Sequence, residues 1–527
     1  MTDETTKNCL FFYMKVSFNI QLIGFWLVGA AMLVWAPAGC TRTQPTGEEL
    51  AVAYCGSCHL YTDPSVLDKD TWQNGVLPQM ALRMGYLSDT ASVGRYGAQV
   101  EELNEGIRLG YYPAQPTISR ENWLKIVDFY LTKAPAKLTL PNPAAPAGLS
   151  LFTPKVPKQP LPPFTTFVRI DSMSRSLRVG NRRGDLITLD AGLARTDSMH
   201  LPSPPSDAVR VPGRSDYAYL LMGIMDPNDR AVGKLWLGGK AVVDTLRRPV
   251  QLTTADLDRN GKPDWIVSEF GHNVGRLSAY LNEGNTYREV VLDAVPGARR
   301  TLVRDIDNDG WPDVVALLAQ GDEQIAVFYN DRNGRFRKET VLRMPPVYGS
   351  SYVELVDMNR DGHLDLVCTN GDNADYSKVH KPFHGIRVYL NDGKFGFRKE
   401  AMFYPMPGAQ QVVARDFDRD GDVDLAAISF FPVLDDTGKK PAQVFVYLEN
   451  TGNLTFKPRT WPGADTGRWL VMDAGDMDGD GDDDIVLGSF YKSVSPTPVY
   501  WADSWAKAQT GVVVLENTLR KAAHPVQ

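Results

Sequence analysis

Asp476-Met-Asp-Gly-Asp-Gly-Asp-Asp-Asp484 decides how this chain reads, because the same pattern, D-x-[DN]-x-[DN]-G-x-x-D, opens at four earlier points. The copies begin at Asp256, Asp305, Asp357, Asp416 and Asp476, separated by 49, 52, 59 and 60 residues. One turn signal per unit at such a period marks a repeat architecture. The side chains at positions one, three, five and nine are Asp256, Asp258, Asn260 and Asp264 in the first copy, and Asp305, Asp307, Asp309 and Asp313 in the second. They are Asp357, Asn359, Asp361 and Asp365 in the third, Asp416, Asp418, Asp420 and Asp424 in the fourth, and Asp476, Asp478, Asp480 and Asp484 in the fifth. An all-oxygen set with a glycine at the bend suits Ca²⁺, which takes about six to eight oxygens at roughly 2.3 to 2.6 Å. An EF-hand would need a glutamate at position twelve between two helices. That position holds Val267, Ala316, Cys368, Ala427 and Leu487. Short apolar runs follow each loop, such as Trp265-Ile-Val and Val314-Val-Ala-Leu, of strand rather than helix length. The loops are therefore expected to join strands and to hold up to five calcium ions.

Composition agrees with a folded chain of two or more domains: 527 residues, 43% of them apolar and 23% charged. The formal charge is −7, and the ligand positions of the loops carry 18 carboxylates. Five divalent ions would add ten positive charges and bring the total to about +3, so the acidity is accounted for by metal and not by a basic partner. No nucleic-acid signature is present.

Near the start, Leu22 to Trp35 is an apolar run of fourteen residues preceded by Lys15 and ended by Ala36-Pro-Ala-Gly-Cys40. A bilayer span needs about 20 residues, so this reads as an export signal over residues 1–39. Met14-Lys15 fits the start of such a leader better than Met1. Ala-Gly-Cys40 resembles a bacterial lipobox, with Pro37 where that pattern prefers an aliphatic residue. The resemblance implies lipid on the Cys40 thiol, and an exported, membrane-anchored lipoprotein.

Thr46-Gly-Glu-Glu49 is a capping box that starts a helix, and the helix runs into Cys55-Gly-Ser-Cys58-His59. C-x-x-C-H is the attachment motif of c-type haem: two thiols reach two vinyl groups and the adjacent imidazole reaches the iron. A zinc site would need a second ligand pair, but the next histidine is His200 and the next cysteine Cys368. A thioredoxin-like dithiol would want strands around it, and these flanks are helical. Met80, following Val76-Leu-Pro78-Gln in a proline-stiffened loop, is the expected second axial ligand in preference to Met84. Trp123, Val127 and Tyr130 share one helical face, and their helix resembles the C-terminal helix of class I cytochromes c. An all-α cytochrome c domain with one haem is expected over residues 40–138. Nine of the 29 residues from Pro135 to Pro163 are proline, which reads as a stiff linker over 139–163.

Residues 164–527 hold the repeats. About 90 residues precede the first loop, room for two more units, with strands at Arg175-Ser-Leu-Arg-Val-Gly-Asn and Asp185-Leu-Ile-Thr-Leu, then at Asp216-Tyr-Ala-Tyr-Leu-Leu-Met and Lys234-Leu-Trp-Leu. Seven units of about four strands fit an all-β propeller. After Val514-Leu-Glu-Asn no outer strand remains, and Leu151-Phe-Thr-Pro-Lys-Val156 is expected to supply it.

The loops resemble FG-GAP/VCBS repeats, also found in the integrin α-subunit head. The whole arrangement resembles secreted bacterial proteins that join an N-terminal cytochrome c to such a propeller. That resemblance implies haem c and calcium as cofactors, and an electron-transfer protein with a redox partner protein. Polysaccharide or small-molecule binding by the propeller is a further expectation. The other readings are an oxidoreductase passing electrons from a sugar or acid to the haem, and an adhesion module with a redox sensor. Arg247-Arg248, Arg299-Arg300, Gln410-Gln411 and Arg468 precede inner strands and predict a basic channel. The polar island from Asn370 to His384 is the other candidate region; His384 and Arg300 are the candidates for catalysis.

Overall fold

The computed structural model describes residues 44–86, 106–141, 147–372, 379–438, 442–492 and 497–519. The apolar run before Cys40, and Cys40 itself, lie outside the described residues. No described helix is long and apolar enough to cross a membrane.

Thr46 caps helix α1 (Gly47–Cys55). Its hydroxyl accepts from the Glu49 N–H at 3.2 Å, and the Glu49 carboxylate accepts from the Thr46 N–H at 2.8 Å. A π-turn at Trp72–Val76 then runs into α2 (Leu77–Arg83), and α3 spans Arg120–Lys133. The stretch before Met80 is thus helix and not the loop expected from Pro78. Pro78 lies inside a continuous helical run from Lys69 to Arg83, and the π-turn just before it, where the Leu77 N–H donates to the Trp72 carbonyl, is where the run departs from regular α-helix next to a residue with no N–H. Helix α1 meets α3 at Gly47, where a Cβ would stand 2.3 Å from the Lys125 carbonyl oxygen and 2.8 Å from Phe129 Cβ. Only glycine permits that approach. Leu50, Leu67, Trp72, Leu77, Ile126 and Tyr130 form the core beneath the crossing.

Among the described residues, seven antiparallel sheets follow, the blades of a β-propeller. Their inner strands are Thr165–Asp171, Pro205–Arg210, Pro249–Ala255, Ala298–Arg304, Ser350–Val356, Ala409–Arg415 and Trp469–Gly475. Each packs on the next and the last packs on the first. The strands after the acidic loops (Asp264–Glu269, Asp313–Leu318, Asp365–Asn370, Asp424–Ser429, Asp484–Ser489) are buried along their whole length. Neighbouring blades cover both their faces, which is why they read as continuous apolar runs without alternation. Outer strands are open to water; Arg195–His200 is exposed throughout.

Phe152–Lys155 lies antiparallel to Val512–Asn517, with Phe152 opposite Asn517 and Lys155 opposite Val514. A strand from before the first blade therefore completes the seventh. Ala147–Gly148 pairs with Arg459 and Thr460 on blade six, and Leu161 is buried against blade seven. From residue 147 onward the proline-rich stretch thus packs on the ring rather than spanning freely. Phe152 sits edge-on to Phe417 and Tyr447, at centroid distances of 5.5 and 5.6 Å. Phe152→Ala should cost about 3 to 5 kcal/mol, the usual range for a buried phenylalanine. Thr153→Ala, on the exposed side of the same strand, should leave the calorimetric transition in place; equal effects would mean that the strand does not close the ring.

The two faces of the ring differ. Turns from first to second strand, including the acidic loops, lie on one face. Second-to-third connections and links between blades lie on the other, together with the described residues of the longer connections, 371–372, 379–384, 430–438, 442–444, 490–492 and 497–511. The last insertion carries α4 (Val499–Ala508), whose Trp501 and Trp505 indoles donate to the Asp435 and Asp465 carbonyls, each at 2.9 Å. Val347, in the link between blades four and five, packs against the helical core. The helical region therefore meets the propeller on the insertion face.

Candidate functional site

The five acidic loops share one backbone. The position-one carboxylate accepts the N–H of the position-six glycine, at 2.9 Å for Gly261 and Gly310, 2.8 Å for Gly362, and 3.1 Å for Gly421 and Gly481. Those glycines have φ between 80° and 93°, in the left-handed region that only glycine enters without strain. Position four is left-handed as well, with φ of 57° to 61° at Arg259, Asn308, Arg360 and Arg419, a demand that the sequence pattern did not disclose.

Positions one, three and nine bring oxygens within 4.8 Å of one another in the loops from Asp256, Asp305 and Asp416. In the last loop Asp476, Asp478 and Asp480 do so. Among the described residues the loop from Asp357, with Asn359 at position three, does not gather three carboxylates in this way.

Position nine has a second task. Asp264 accepts the Leu257 N–H and the Asn282 N–H, both at 2.7 Å, so one carboxylate ties the loop to the end of the third strand. Asp313 does the same with Ile306 and Asn330, Asp365 with Met358 and Asn391, Asp424 with Phe417 and Asn450, and Asp484 with Met477 and Asn517. The asparagines that end these third strands are therefore part of the loop's construction. Burial pushes Asp264 up to about 6, and Asp424 and Asp484 up to about 7. The donor sets are hard, anionic and partly desolvated, and fit Ca²⁺.

In the helical region Cys55 ends α1 half-buried, Cys58 is exposed in the following turn, and both thiols are free. Burial pushes the Cys55 thiol up to about 11. His59 Nδ1 lies 2.8 Å from the Leu60 carbonyl oxygen, which fixes the ring and leaves Nε2 for a metal. Met80 and Met84 both border the helical core. The Thr117 hydroxyl donates to Met84 Sδ at 3.4 Å. Two thiols at a helix end, an imidazole oriented through Nδ1 and methionine sulfur beside an apolar core fit c-type haem.

A cavity of about 480 Å³ lies on the propeller axis. Each inner strand slips register between its first and third residues, a bulge repeated in all seven blades. A bulge aims consecutive side chains to one side. Arg299 with Arg300, Ser351 with Tyr352, and Gln410 with Gln411 thus all line the cavity as doublets.

The lining is nevertheless not simply basic. Asp207 accepts the Leu252 N–H (3.0 Å), Gln251 that of Thr301 (3.1 Å), Glu354 that of Ala414 (3.2 Å), Gln411 that of Met472 (3.0 Å) and Asp473 that of Ile170 (2.9 Å). These side chains bridge neighbouring blades. Arg169 lies 2.8 Å from Asp207 and 3.6 Å from Asp473, and Arg300 stacks on Tyr352 at 3.9 Å with Glu354 3.6 Å away. The waist of the channel is charge-balanced. At its mouth on the insertion face Arg248 and Arg299 lie against Phe270 at 5.3 and 5.6 Å and donate to the Gly271 and Ser351 carbonyls at 2.9 and 3.1 Å.

Arg468 departs from the expected ring of basic side chains. It is 2% exposed, donates to the Phe430 carbonyl at 2.7 Å and is pulled down to about 9 by burial. His384 does not line the cavity either. It is fully buried in blade five, with neither ring nitrogen partnered, and burial holds its pKa well below the usual value. Beside it burial lowers Lys381 to about 8 and raises Glu323 to about 7. Residues 373–378 of the polar island lie outside the described residues.

Residues 256–316, 305–368 and 434–487 match the FG-GAP-like repeat family. Over 137 residues the chain is 29% identical to the T-cell immunomodulatory protein homolog of Plasmodium falciparum (isolate 3D7), a stretch covering 24% of this chain and 18% of that protein. The chain thus spans less than a fifth of that relative's length. Among solved structures, the Myceliophteria thermophila Cps50 (Swd1) β-propeller domain superposes with a TM-score of 0.42 at 10% identity, covering 69% of this chain and 98% of that one. The N-terminal domain of Nup159 gives 0.40 at 10% identity, covering 72% and 98%. BBS1N, in its complex with ARL6DN, gives 0.41 at 8% identity, covering 69% and 96%. These three carry no argument about function. The matched residues hold four of the five acidic loops, and the chain folds into a seven-bladed β-propeller with segments similar to FG-GAP-like repeats.

Proposed function

We propose that this is an exported, lipid-anchored protein that carries one covalent haem c on its helical region, transfers electrons to or from a protein partner, and uses its calcium-stiffened propeller as a binding module. The observation that carries the reading is Cys55-Gly-Ser-Cys58-His59 at the end of α1, with His59 Nδ1 held by the Leu60 carbonyl and α1 locked on α3 at Gly47. Bound there, the haem would supply one-electron chemistry. The chain would supply two thioether bonds, each made by adding a thiol S–H across a vinyl group, and an imidazole ligand.

The test is expression in a cell with c-type maturation. Wild type should show haem that survives acid–acetone extraction and a pyridine haemochrome spectrum of the bis-thioether type, and Cys55→Ser with Cys58→Ser should lose covalent haem entirely. A wild-type protein that binds no haem under these conditions overturns the reading.

One observation favours a second reading, an oxidoreductase that takes electrons from a sugar or acid in the axial cavity. Val347 brings the helical region onto the face where that cavity opens. Haem reduction by a small substrate without a partner protein would establish it, and Arg300→Ala should then abolish the reduction while leaving haem attachment intact.

A further inference from the structure

Two pairs of neighbouring acidic loops are joined through the interior of the ring. Leu257, at position two of the loop from Asp256, donates its N–H to Asp264 of the same loop at 2.7 Å. Its carbonyl accepts from the Asn330 side-chain amide of the next blade at 2.8 Å. The Asn330 N–H in turn donates to Asp313, position nine of the loop from Asp305, at 2.8 Å. One peptide and one asparagine thus connect the position-nine carboxylates of two loops. The arrangement recurs in the last two blades. Phe417 donates to Asp424 at 3.3 Å and its carbonyl accepts from the Asn517 side chain at 2.9 Å, while the Asn517 N–H donates to Asp484 at 2.9 Å. Leu257, Asn330, Phe417 and Asn517 are all buried.

Among the described residues the other two neighbouring pairs lack this connection. The side chains of Asn391 and Asn450 donate to the Leu364 and Val423 carbonyls, each within its own blade. A surface link follows a similar division. From position four, Arg259 stacks on Trp311 of the next loop at 4.6 Å, and Arg419 donates to the Gly481 carbonyl. The loop from Asp305 has Asn308 at that position and sends no arginine onward. The loops from Asp357 and Asp416 share the Arg360–Asp422 ion pair, whose side chains are 55% and 27% exposed; a pair so open to water contributes little.

The buried link can carry order from one loop to the next. When Asp264 is fixed as an ion ligand, it holds the Leu257 N–H in one geometry, which aims the Leu257 carbonyl at Asn330 and sets the Asn330 N–H on Asp313. The second loop then has its position-nine ligand in place, and less ordering remains for its own ion. Such coupling is reciprocal. Electrostatics opposes it, because filling the first loop takes its three ligand carboxylates from −3 to −1 and weakens the pull on the next cation. Positions one, three and five of that loop are open to water at least in part, so this opposing effect is screened beyond about 8 Å at physiological salt. The hydrogen-bonded link is buried and escapes that screening.

We propose that the loops bind calcium as two coupled pairs, the loop from Asp256 with that from Asp305 and the loop from Asp416 with that from Asp476, occupancy of one raising the affinity of the other through Asn330 or Asn517. The proposal rests on the reading of the loops as calcium sites and is independent of the haem.

Terbium in place of calcium tests it on the full-length protein, through luminescence sensitised by Trp311 at position seven of the second loop and assigned by its loss in Trp311→Phe. Asp256→Asn with Asp258→Asn disables the first loop and leaves the link itself untouched. It should weaken terbium at Trp311 by about fivefold, the size of one buried hydrogen bond. Asp357→Asn with Asp361→Asn removes the same charge from the neighbour on the other side and should weaken it by less than about twofold, a long-range charge effect alone. In an Asn330→Ala protein, disabling the first loop should do no more than disabling the third. Should Asn330→Ala fail to fold, the comparison of the two double variants decides by itself.

Equal weakening by the two double variants, or none by the first, overturns the coupling and leaves the calcium reading standing. A wild-type protein that binds no terbium overturns both.

Discussion

Removal of calcium should lower the propeller's melting temperature by more than about ten degrees and leave the haem spectrum in place. A bound ion stabilises by roughly 2.7 kcal/mol per site at a hundredfold excess over Kd, several sites add, and each kcal/mol moves the transition of a domain of roughly 360 residues by about 1.3 degrees. Four loops already gather three carboxylates within 4.8 Å, so stripping the ions leaves like charges facing one another.

The dependence on pH should also change sign. Burial raises Asp264 to about 6, and Asp424 and Asp484 to about 7, above the 3.8 of an unfolded aspartate. In the metal-free protein the native state therefore keeps protons that the unfolded chain has released. The stability these groups contribute is full below about pH 4 and is lost as pH rises through 6 to 7. With calcium present the ion takes the protons' place, and stability should rise over the same interval. Calorimetry at pH 5 and pH 7.5, with the metal-free and the calcium-loaded protein, reads both effects. Identical curves with and without calcium would overturn the metal assignment.

Replacement of Met80 should remove the sulfur-to-iron absorption band completely and lower the haem potential. Met80 lies on α2 at the edge of the helical core, whereas the Met84 sulfur is already engaged by the Thr117 hydroxyl. Met84→Ala should keep the band. Loss of the band in Met84→Ala with retention in Met80→Ala would transfer the role to Met84. Redox titration of both variants, with covalent haem content measured alongside, keeps a ligation effect apart from a failure to mature.

The repeat was legible because its loops are local. Asp and Gly at fixed spacing make a turn in which the position-one carboxylate meets the position-six N–H, so that part of each copy spells out its own geometry. The C-x-x-C-H motif is legible for the same reason, and so is the capping box before it. The count of blades followed from period and length. The fully buried second strands followed from their unbroken apolar runs.

Several site residues were legible only in part. Asp264 and its four counterparts read as ligands, and their bonds to the asparagine ending the third strand span 17 to 33 residues, beyond any local pattern. Those asparagines were visible as strand-ending turns, without their partner. Trp501 and Trp505 stand four residues apart, a helical signal, but their indoles answer to carbonyls in other insertions.

What the sequence determined by itself is whatever is set by neighbours along the chain: acidic turns, strand lengths and a thiol–imidazole motif. Tertiary structure alone decided what the channel is. The bulge in each inner strand turns two successive side chains toward the axis, and the ring brings Asp207, Gln251, Glu354, Gln411 and Asp473 onto the backbone of the next blade. A run of arginines and glutamines therefore becomes a charge-balanced, blade-bridging waist, with Arg248 and Arg299 packed on Phe270 at the mouth. The same geometry carries Arg468 inward onto Phe430 and leaves Arg299 at the opening. Sequence fixes the charge of a side chain, but its partners and its distance from water depend on how seven sheets close around one axis.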